Sequence, residues 1–402
     1  MNASGVSATK LVVKPLSRRQ FLLSGAALAV PWVAGCGRND RASPVDGAAD
    51  SAPPKQSLDA GFAVQFKAPG VVVEVLSQGA VANDQIQAAP VRQMMTRGMC
   101  DLTGQADERD AWRSLFSADD IVGIKISPLG YPEVFSHVET VAEVIRGLNL
   151  AGVPNGNIVV FERYRQLLDP VGYPALLPPG VRFASAVDVY TTDQSGLSGY
   201  DPNQFVDLAR VYPGADPNDP NQRRSCLCQL VSQQLTKVVN IPALKDHISA
   251  GLTFALKNIT YGLVNNVSRS HVLPDNWTKD FLPAIAAMST IRDKVVLHIG
   301  DALRVCYDGG PGPLPDGNFK SFTYSSLLFS TDPVAMDRVG WDILDTRRAA
   351  AGLPPIAECG LQLINPGHEA ANERQPQYVL AAGDLGLGVA DIAAIQHRRY
   401  AL

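Results

Sequence analysis

From residue 59 onward the chain alternates short runs of β-branched residues with stretches of helical spacing, and that alternation narrows the fold more than any other feature. Asp119–Ser127 (DDIVGIKIS) reads as a strand ending in Lys125. Val134–Leu150 places apolar residues at helical spacing and is followed by Gly152, a helix stop. Asn157–Glu162 (NIVVFE) is the next strand. Strand, helix, strand in this order predicts a right-handed crossover and a parallel sheet. Val71–Leu76, Lys237–Ile241, Lys294–Gly300 and Ser325–Ser330 read as further strands. Leu252–Leu263, Asn276–Ile291 and a helix opened by Asp332-Pro333 and running to about Ala350 read as helices. Residues 190–224 are rich in Gly, Pro, Asn and Asp and read as a long excursion with one short strand, Val206–Tyr212. The expected fold is α/β: a single large domain, 59–402, around a mostly parallel sheet with helices on both faces.

The N-terminus reads as an address. Lys10, Lys14, Arg18 and Arg19 precede an uncharged apolar run, Phe21 to Gly35. A basic segment followed by such a run is a signal peptide, and this one falls short of the roughly 20 residues a spanning helix needs. Ser17-Arg18-Arg19-Gln20-Phe21-Leu22 fits the twin-arginine pattern, which implies the twin-arginine translocase as a partner. Val33-Ala34-Gly35-Cys36 fits the bacterial lipobox, with Cys36 as the lipidated residue. The expected order is a signal peptide over 1–35, a lipidated cysteine with a flexible tether over 36–58, and the α/β domain behind it. The expected location is the periplasmic side of the cell envelope, held to a membrane by the lipid.

Five cysteines remain beyond Cys36: Cys100, Cys226, Cys228, Cys306 and Cys359. An odd number outside the cytoplasm leaves at least one free thiol or an intermolecular bond, and disulfides among the rest are expected. No C-x-x-C pair occurs, so zinc-ribbon and ferredoxin spacings are absent. The formal net charge of −4 and the mixed charge pattern exclude a broad basic face for nucleic acid.

Ligand groups in open parallel sheets gather beyond the carboxyl ends of strands, and several polar residues fall there. Lys245 and His247 follow the strand ending at Ile241, and Lys125 ends another. Lys257 and Asn258 lie on the expected Leu252–Leu263 helix, with Thr253, Thr260 and Tyr261 making a narrow polar stripe. In a dry pocket Lys257 acts as a base, a Schiff-base former or an anion clamp; on a solvated face it only snorkels. Asp301 follows the strand ending at Gly300, and Gly309 and Gly310 open a loop able to offer amides to an anion. Asp332 reads as a helix cap and Asp337 as a surface carboxylate. His247 with His271 is the candidate metal pair.

Five motifs then recur in one order: Val122-Gly123-Ile124-Lys125-Ile126, Asn240-Ile241-Pro242-Ala243-Leu244-Lys245-Asp246-His247, Ala255-Leu256-Lys257-Asn258, Asp332-Pro333-Val334-Ala335-Met336-Asp337 and Ala382-Gly383-Asp384-Leu385-Gly386-Leu387-Gly388. On these the chain resembles the domain of unknown function 362 family over about residues 70–395. That resemblance implies a fold class and candidate positions; the family has no agreed activity, so cofactor and substrate stay open. His247, Gly251 and Lys257 also resemble, faintly, a stretch of the nickel-pincer lactate racemase family, where such a lysine and histidine hold the cofactor. Two readings follow. One is a membrane-anchored enzyme acting on an anionic small molecule or cofactor through Lys125, Lys245, His247 and Lys257. The other is a non-catalytic lipoprotein that binds an anion or metal or assists assembly.

Overall fold

A computed structural model describes residues 66–191, 193–271, 276–312, 319–358 and 374–402. The segments read as signal peptide, lipidated Cys36 and tether, and Cys359, lie outside the described residues. In chain order the strands are β1 (Val71–Leu76), β2 (Val81–Ala82), β3 (Gln85–Ile86), β4 (Val122–Lys125), β5 (Ile158–Tyr164), β6 (Arg182–Val187), β7 (Tyr200–Asp207), β8 (Arg224–Cys228), β9 (Lys237–Asn240), β10 (Ala243–His247), β11 (Gly251–Thr253), β12 (Val295–Asp308), β13 (Lys320–Ser330) and β14 (Gln396–Ala401). One large sheet runs β14-β1-β13-β12-β9-β4-β5-β6, with β10 also beside β12 and β11 beside β10. From β12 to β6 the neighbours are parallel. Strand β13 is antiparallel to both β12 and β1, and β14 is parallel to β1.

The period of two along each strand builds two cores. Val122, Ile124, Ile158, Val160 and Val239 face one apolar cluster, together with Met94, Met95, Val144, Ile145 and Leu148 from helices Ala88–Thr103 and Val138–Ala151. Val159, Phe161 and Val238 face the other, with Leu256, Ile259, Phe281, Leu282, Val339 and Tyr378. Those come from helices Ala255–Thr260, Thr278–Ala286, Pro333–Ala350 and Tyr378–Asp384. Each fully buried aliphatic side chain stabilises by about 1.5–3 kcal/mol, so both layers hold the sheet. The expected α/β architecture, helices on both faces, is what forms. Helix Val138–Ala151 ends at Gly152, whose φ of 103° suits glycine. Asp332 caps its helix as expected, accepting from the amides of Val334 and Ala335 at 2.9 Å each. Among the described residues no helix is long and apolar enough to cross a membrane.

Several elements differ from the sequence reading. Leu252–Leu263 is not one helix: Gly251–Thr253 is strand β11, folded back antiparallel on β10, and the helix begins at Ala255. Leu252, Phe254 and Leu256 alternate at period two as well as they fit a helix, and a φ of +82° at Gly251 makes the turn. The strand from 295 does not stop at Gly300 but runs to Asp308, hairpinned against β13. The excursion over 190–224 carries β7 from Tyr200 to Asp207, paired with β8, rather than a strand at Val206–Tyr212. Asn276–Ile291 divides into helices Thr278–Ala286 and Ser289–Lys294.

Candidate functional site

Strand β4 delivers Lys125 to its carboxyl end, on the face covered by helix Ala255–Thr260. The side chain is fully buried, not reaching solvent, and its ammonium donates to Ile126 O at 2.6 Å, Glu162 Oε2 at 2.9 Å and Asn258 Oδ1 at 3.0 Å. All three N–H groups are therefore spent within the protein. Asn258 passes the pattern on, donating to Asn240 Oδ1 at 2.7 Å, and Asn240 donates to Ala255 O at 3.1 Å. Lys125 and Asn258, expected as ligand groups, are thus internal pins that hold the helix carrying Lys257. A Cβ added at Gly262 would stand 2.3 Å from Lys125 Cε, so the lysine's path requires glycine there.

Lys245 and His247 sit on β10 itself, two residues apart and so on one face. Opposite Lys245 in the antiparallel register is Thr253. Lys245 Nζ donates to Ser127 Oγ at 3.1 Å and to Leu129 O. Burial, with Lys125 adding repulsion, pulls its ammonium down to about 7. His247 Nδ1 accepts from the amides of Ser249 at 3.0 Å and Ala250 at 3.1 Å, which puts the proton of the neutral ring on Nε2. Burial, then Lys257, His271 and Lys245, holds this imidazole well below its ordinary value. Lys257 is buried, with Nζ 4.4 Å from the Tyr261 ring centroid, and has no hydrogen bond among the described residues. Its ammonium is pulled down to about 7, by burial first and then by Lys245, Lys125 and Arg163, with Glu162 opposing. The Thr253 hydroxyl is buried with no hydrogen-bond partner among the described residues.

Among the described residues the charges here do not balance: Lys125, Lys245, Lys257 and Arg163 face one carboxylate, Glu162. That carboxylate is committed to Lys125 and, through Oε1, to the amide of Arg163 at 2.6 Å. The Arg163 guanidinium itself meets only neutral oxygens: Tyr200 Oη at 3.1 Å, Gln194 Oε1 at 2.9 Å and Tyr261 O at 3.4 Å. Glu162 and Arg163 were missed in the sequence, although they stand at the end of NIVVFE by the same strand-end rule that singled out Lys125.

Other expected members stand apart. Asp301 lies inside β12 and is spent on His137 N at 2.8 Å, His137 Nδ1 at 2.9 Å, Thr140 Oγ1 at 2.9 Å and Leu303 N at 3.3 Å. It anchors the start of helix Val138–Ala151 and does not join the lysines. Gly309 turns with a φ of +76°, while Gly310 donates its amide to Asp246 Oδ2 at 3.3 Å and leaves no room for a Cβ against Asp246 O. That loop packs on β10 instead of presenting the Gly310 amide to a ligand. His271 has its ring 6.2 Å from His247, centroid to centroid, and its Nδ1 3.2 Å from Val267 O. Among the described residues no group of three His, Cys, Asp or Glu side chains could hold a metal ion, so a third ligand for the His247–His271 pair is missing there. Asp337 is not at the surface: it is buried and accepts from Ala255 N at 2.5 Å and Tyr378 Oη at 2.7 Å. Cys100, Cys226, Cys228 and Cys306 are free thiols, against the disulfides expected. Cys226 and Cys228 stand two residues apart, on one face of β8 within the core, and both are free thiols. A separate surface groove of about 860 Å³, lined by Arg92, Arg97, Cys100, Asp101 and Arg398 among others, holds none of the lysine cluster.

Comparison with known proteins bears on the segment that carries β10, β11 and Lys257. Residues 221–342 match the family described as "Domain of unknown function (DUF362)". The DUF362 segment includes the motifs around Lys245, Lys257 and Asp332–Asp337; those around Lys125 and Gly386 fall outside it. No curated protein matches the chain. Among solved structures, a protein from Thermotoga maritima is similar at 9% identity and TM-score 0.37, over 68% of this chain and 61% of that one. The lactate racemase apoprotein from Thermoanaerobacterium thermosaccharolyticum is similar at 10% identity and TM-score 0.31, over 58% of this chain and 50% of that one. The chain thus spans less than two thirds of either.

Proposed function

We propose that this is an exported, lipid-anchored protein whose α/β domain binds an anionic small molecule or cofactor at the carboxyl edge of the sheet and acts on it chemically. The observation that carries the proposal is Lys257. Its ammonium, on a largely buried side chain, has no acceptor among the described residues, is pressed by the like charge of Lys245, Lys125 and Arg163, and finds the nearby Glu162 carboxylate already taken. A bound anion supplies the missing charge and returns both perturbed lysines toward their protonated state. What supports chemistry beyond binding is the pair on β10. Lys245 titrates near neutral pH, so it can give or take a proton beside a bound anion, while His247 stays neutral and offers Nε2–H as a hydrogen-bond donor to it. The non-catalytic alternative keeps the same anion site without turnover.

Export and anchoring are supported by Arg18, Arg19 and the Val33–Cys36 lipobox. Cell fractionation tests them: Arg18→Lys with Arg19→Lys should stop export, and Cys36→Ala should release the protein from membranes. Normal export of the double variant defeats the twin-arginine reading. Isothermal titration of the mature protein at about pH 7 tests the site, using phosphate, sulfate, acetate and lactate. At least one anion should bind at one site per chain, and binding should vanish in Lys257→Met but persist in Lys279→Met, a change at an exposed lysine. No heat with any anion, or equal binding in both variants, rejects the site.

A further inference from the structure

Resting on that anion-site reading, we infer that the group bound is a tetrahedral dianionic oxyanion, of the phosphate or phosphomonoester class, seated against the Lys257 ammonium, the Thr253 hydroxyl and Nε2–H of His247. The argument counts charges and then hydrogen-bond donors. Lys125 is matched by Glu162, which leaves Lys245 and Lys257 as two ammoniums without a carboxylate of their own among the described residues. A monoanion balances one of them, whereas a dianion balances both. Arg163, satisfied only by neutral oxygens, adds positive potential in the same direction.

The donors tell the same story. Lys257 has its three N–H groups uncommitted among the described residues, and Lys245 retains one beyond its bonds to Ser127 and Leu129. His247 has Nδ1 filled by two backbone amides, which leaves Nε2–H as the end of the ring without a partner among the described residues. Thr253 Oγ1 is a buried hydroxyl with no partner among the described residues, an arrangement that native interiors seldom leave unfilled. It lies opposite Lys245 in the β10–β11 register, and β11 leads within two residues into the helix that carries Lys257. Three elements, β10, β11 and the helix, thus each contribute a donor. A carboxylate has two oxygens and one charge, and would leave a donor and an ammonium unanswered; a terminal phosphate has three oxygens and two charges.

Competition titrations on the mature protein near pH 7 test this, with inorganic phosphate, phenyl phosphate, sulfate and acetate as probes. Phosphate or phenyl phosphate should bind at least roughly tenfold more tightly than acetate, because acetate leaves buried polar groups unpaired. Tighter binding of phenyl phosphate than of phosphate marks a phosphomonoester as the natural source; exclusion of phenyl phosphate marks the free ion. Thr253→Val, which preserves shape and removes only the orphan hydroxyl, should cut phosphate affinity about tenfold and leave acetate unchanged. Acetate binding as tightly as phosphate overturns the dianion inference while the anion site stands. Failure of every probe overturns both.

Discussion

The two perturbed lysines make a quantitative demand on the stability of the ligand-free protein. Lys245 and Lys257 are pulled from 10.5 to about 7, by burial first in each case, with Lys125 repelling both and Lys245 also repelling Lys257. Between those values the unfolded chain binds two protons that the folded chain does not, so stability must rise with pH there. Each proton contributes about 1.4 kcal/mol per pH unit at full difference. Allowing for the tail of folded-state titration, the pair should add about 2.5 kcal/mol between roughly pH 7.5 and 8.5. The window lies clear of most other shifted groups, although Asp337, pushed up to about 7, still sheds the last of its proton at the lower edge and opposes the rise slightly. The buried His271 and His298 are held down to about 4 and about 3, and the Cys228 and Cys306 thiols are pushed up to about 11 and about 12. Those thiols, with Cys100 and Cys226 also pushed up, oppose the trend increasingly toward the upper end of the window, where unfolded cysteines begin to ionise, by at most about 0.3 kcal/mol each. Urea unfolding with chloride as the sole small anion measures the slope, and Lys257→Met should remove half of the lysine contribution, about 1.2 kcal/mol across the window. A wild-type stability that is flat or falls across the window, or a variant slope equal to the wild type's, refutes the assignment of neutral lysines to this site.

Asp337→Ala strips acceptors from Ala255 N and Tyr378 Oη and should cost about 3–5 kcal/mol by urea unfolding, with Asp337→Asn costing less. Gly262→Ala forces a methyl against Lys125 and should destabilise by about 1–3 kcal/mol, whereas Gly156→Ala, exposed with open space around it, should stay within about 0.5 kcal/mol. A thiol reagent should modify half-exposed Cys100 in the native protein, and Cys226, Cys228 and Cys306 only after unfolding; reaction of Cys228 before Cys100 contradicts their placement.

Periodicity made the sheet legible. Runs such as VGIK and IVVFE can bury both faces only as central strands, and Asp332-Pro333 announced a helix start that its side-chain bonds confirm. Leu252–Leu263 was ambiguous because its apolar residues satisfy two periods, and only the turn at Gly251 decides between them. The same ambiguity hid Thr253, which belongs opposite Lys245 and not on a helical stripe with Lys257. The rule that ligand groups lie at strand ends found Lys125, Lys245 and His247 but could not tell a pin from a ligand. That distinction rests on long-range partners, such as Glu162 for Lys125 and His137 for Asp301, which no local pattern encodes. Asp337 failed for a related reason: a carboxylate inside a helix reads as solvated unless another helix brings its amides to it.

Anomalous diffraction from crystals soaked in selenate, a tetrahedral dianion that scatters strongly, addresses the uncompensated charge at Lys257 most directly. The account predicts a selenium peak within hydrogen-bonding reach of Lys257 Nζ and Thr253 Oγ1, beside Lys245 and His247, and its loss in Lys257→Met. Crystals that hold selenate elsewhere on the surface while this edge of the sheet stays empty would contradict it.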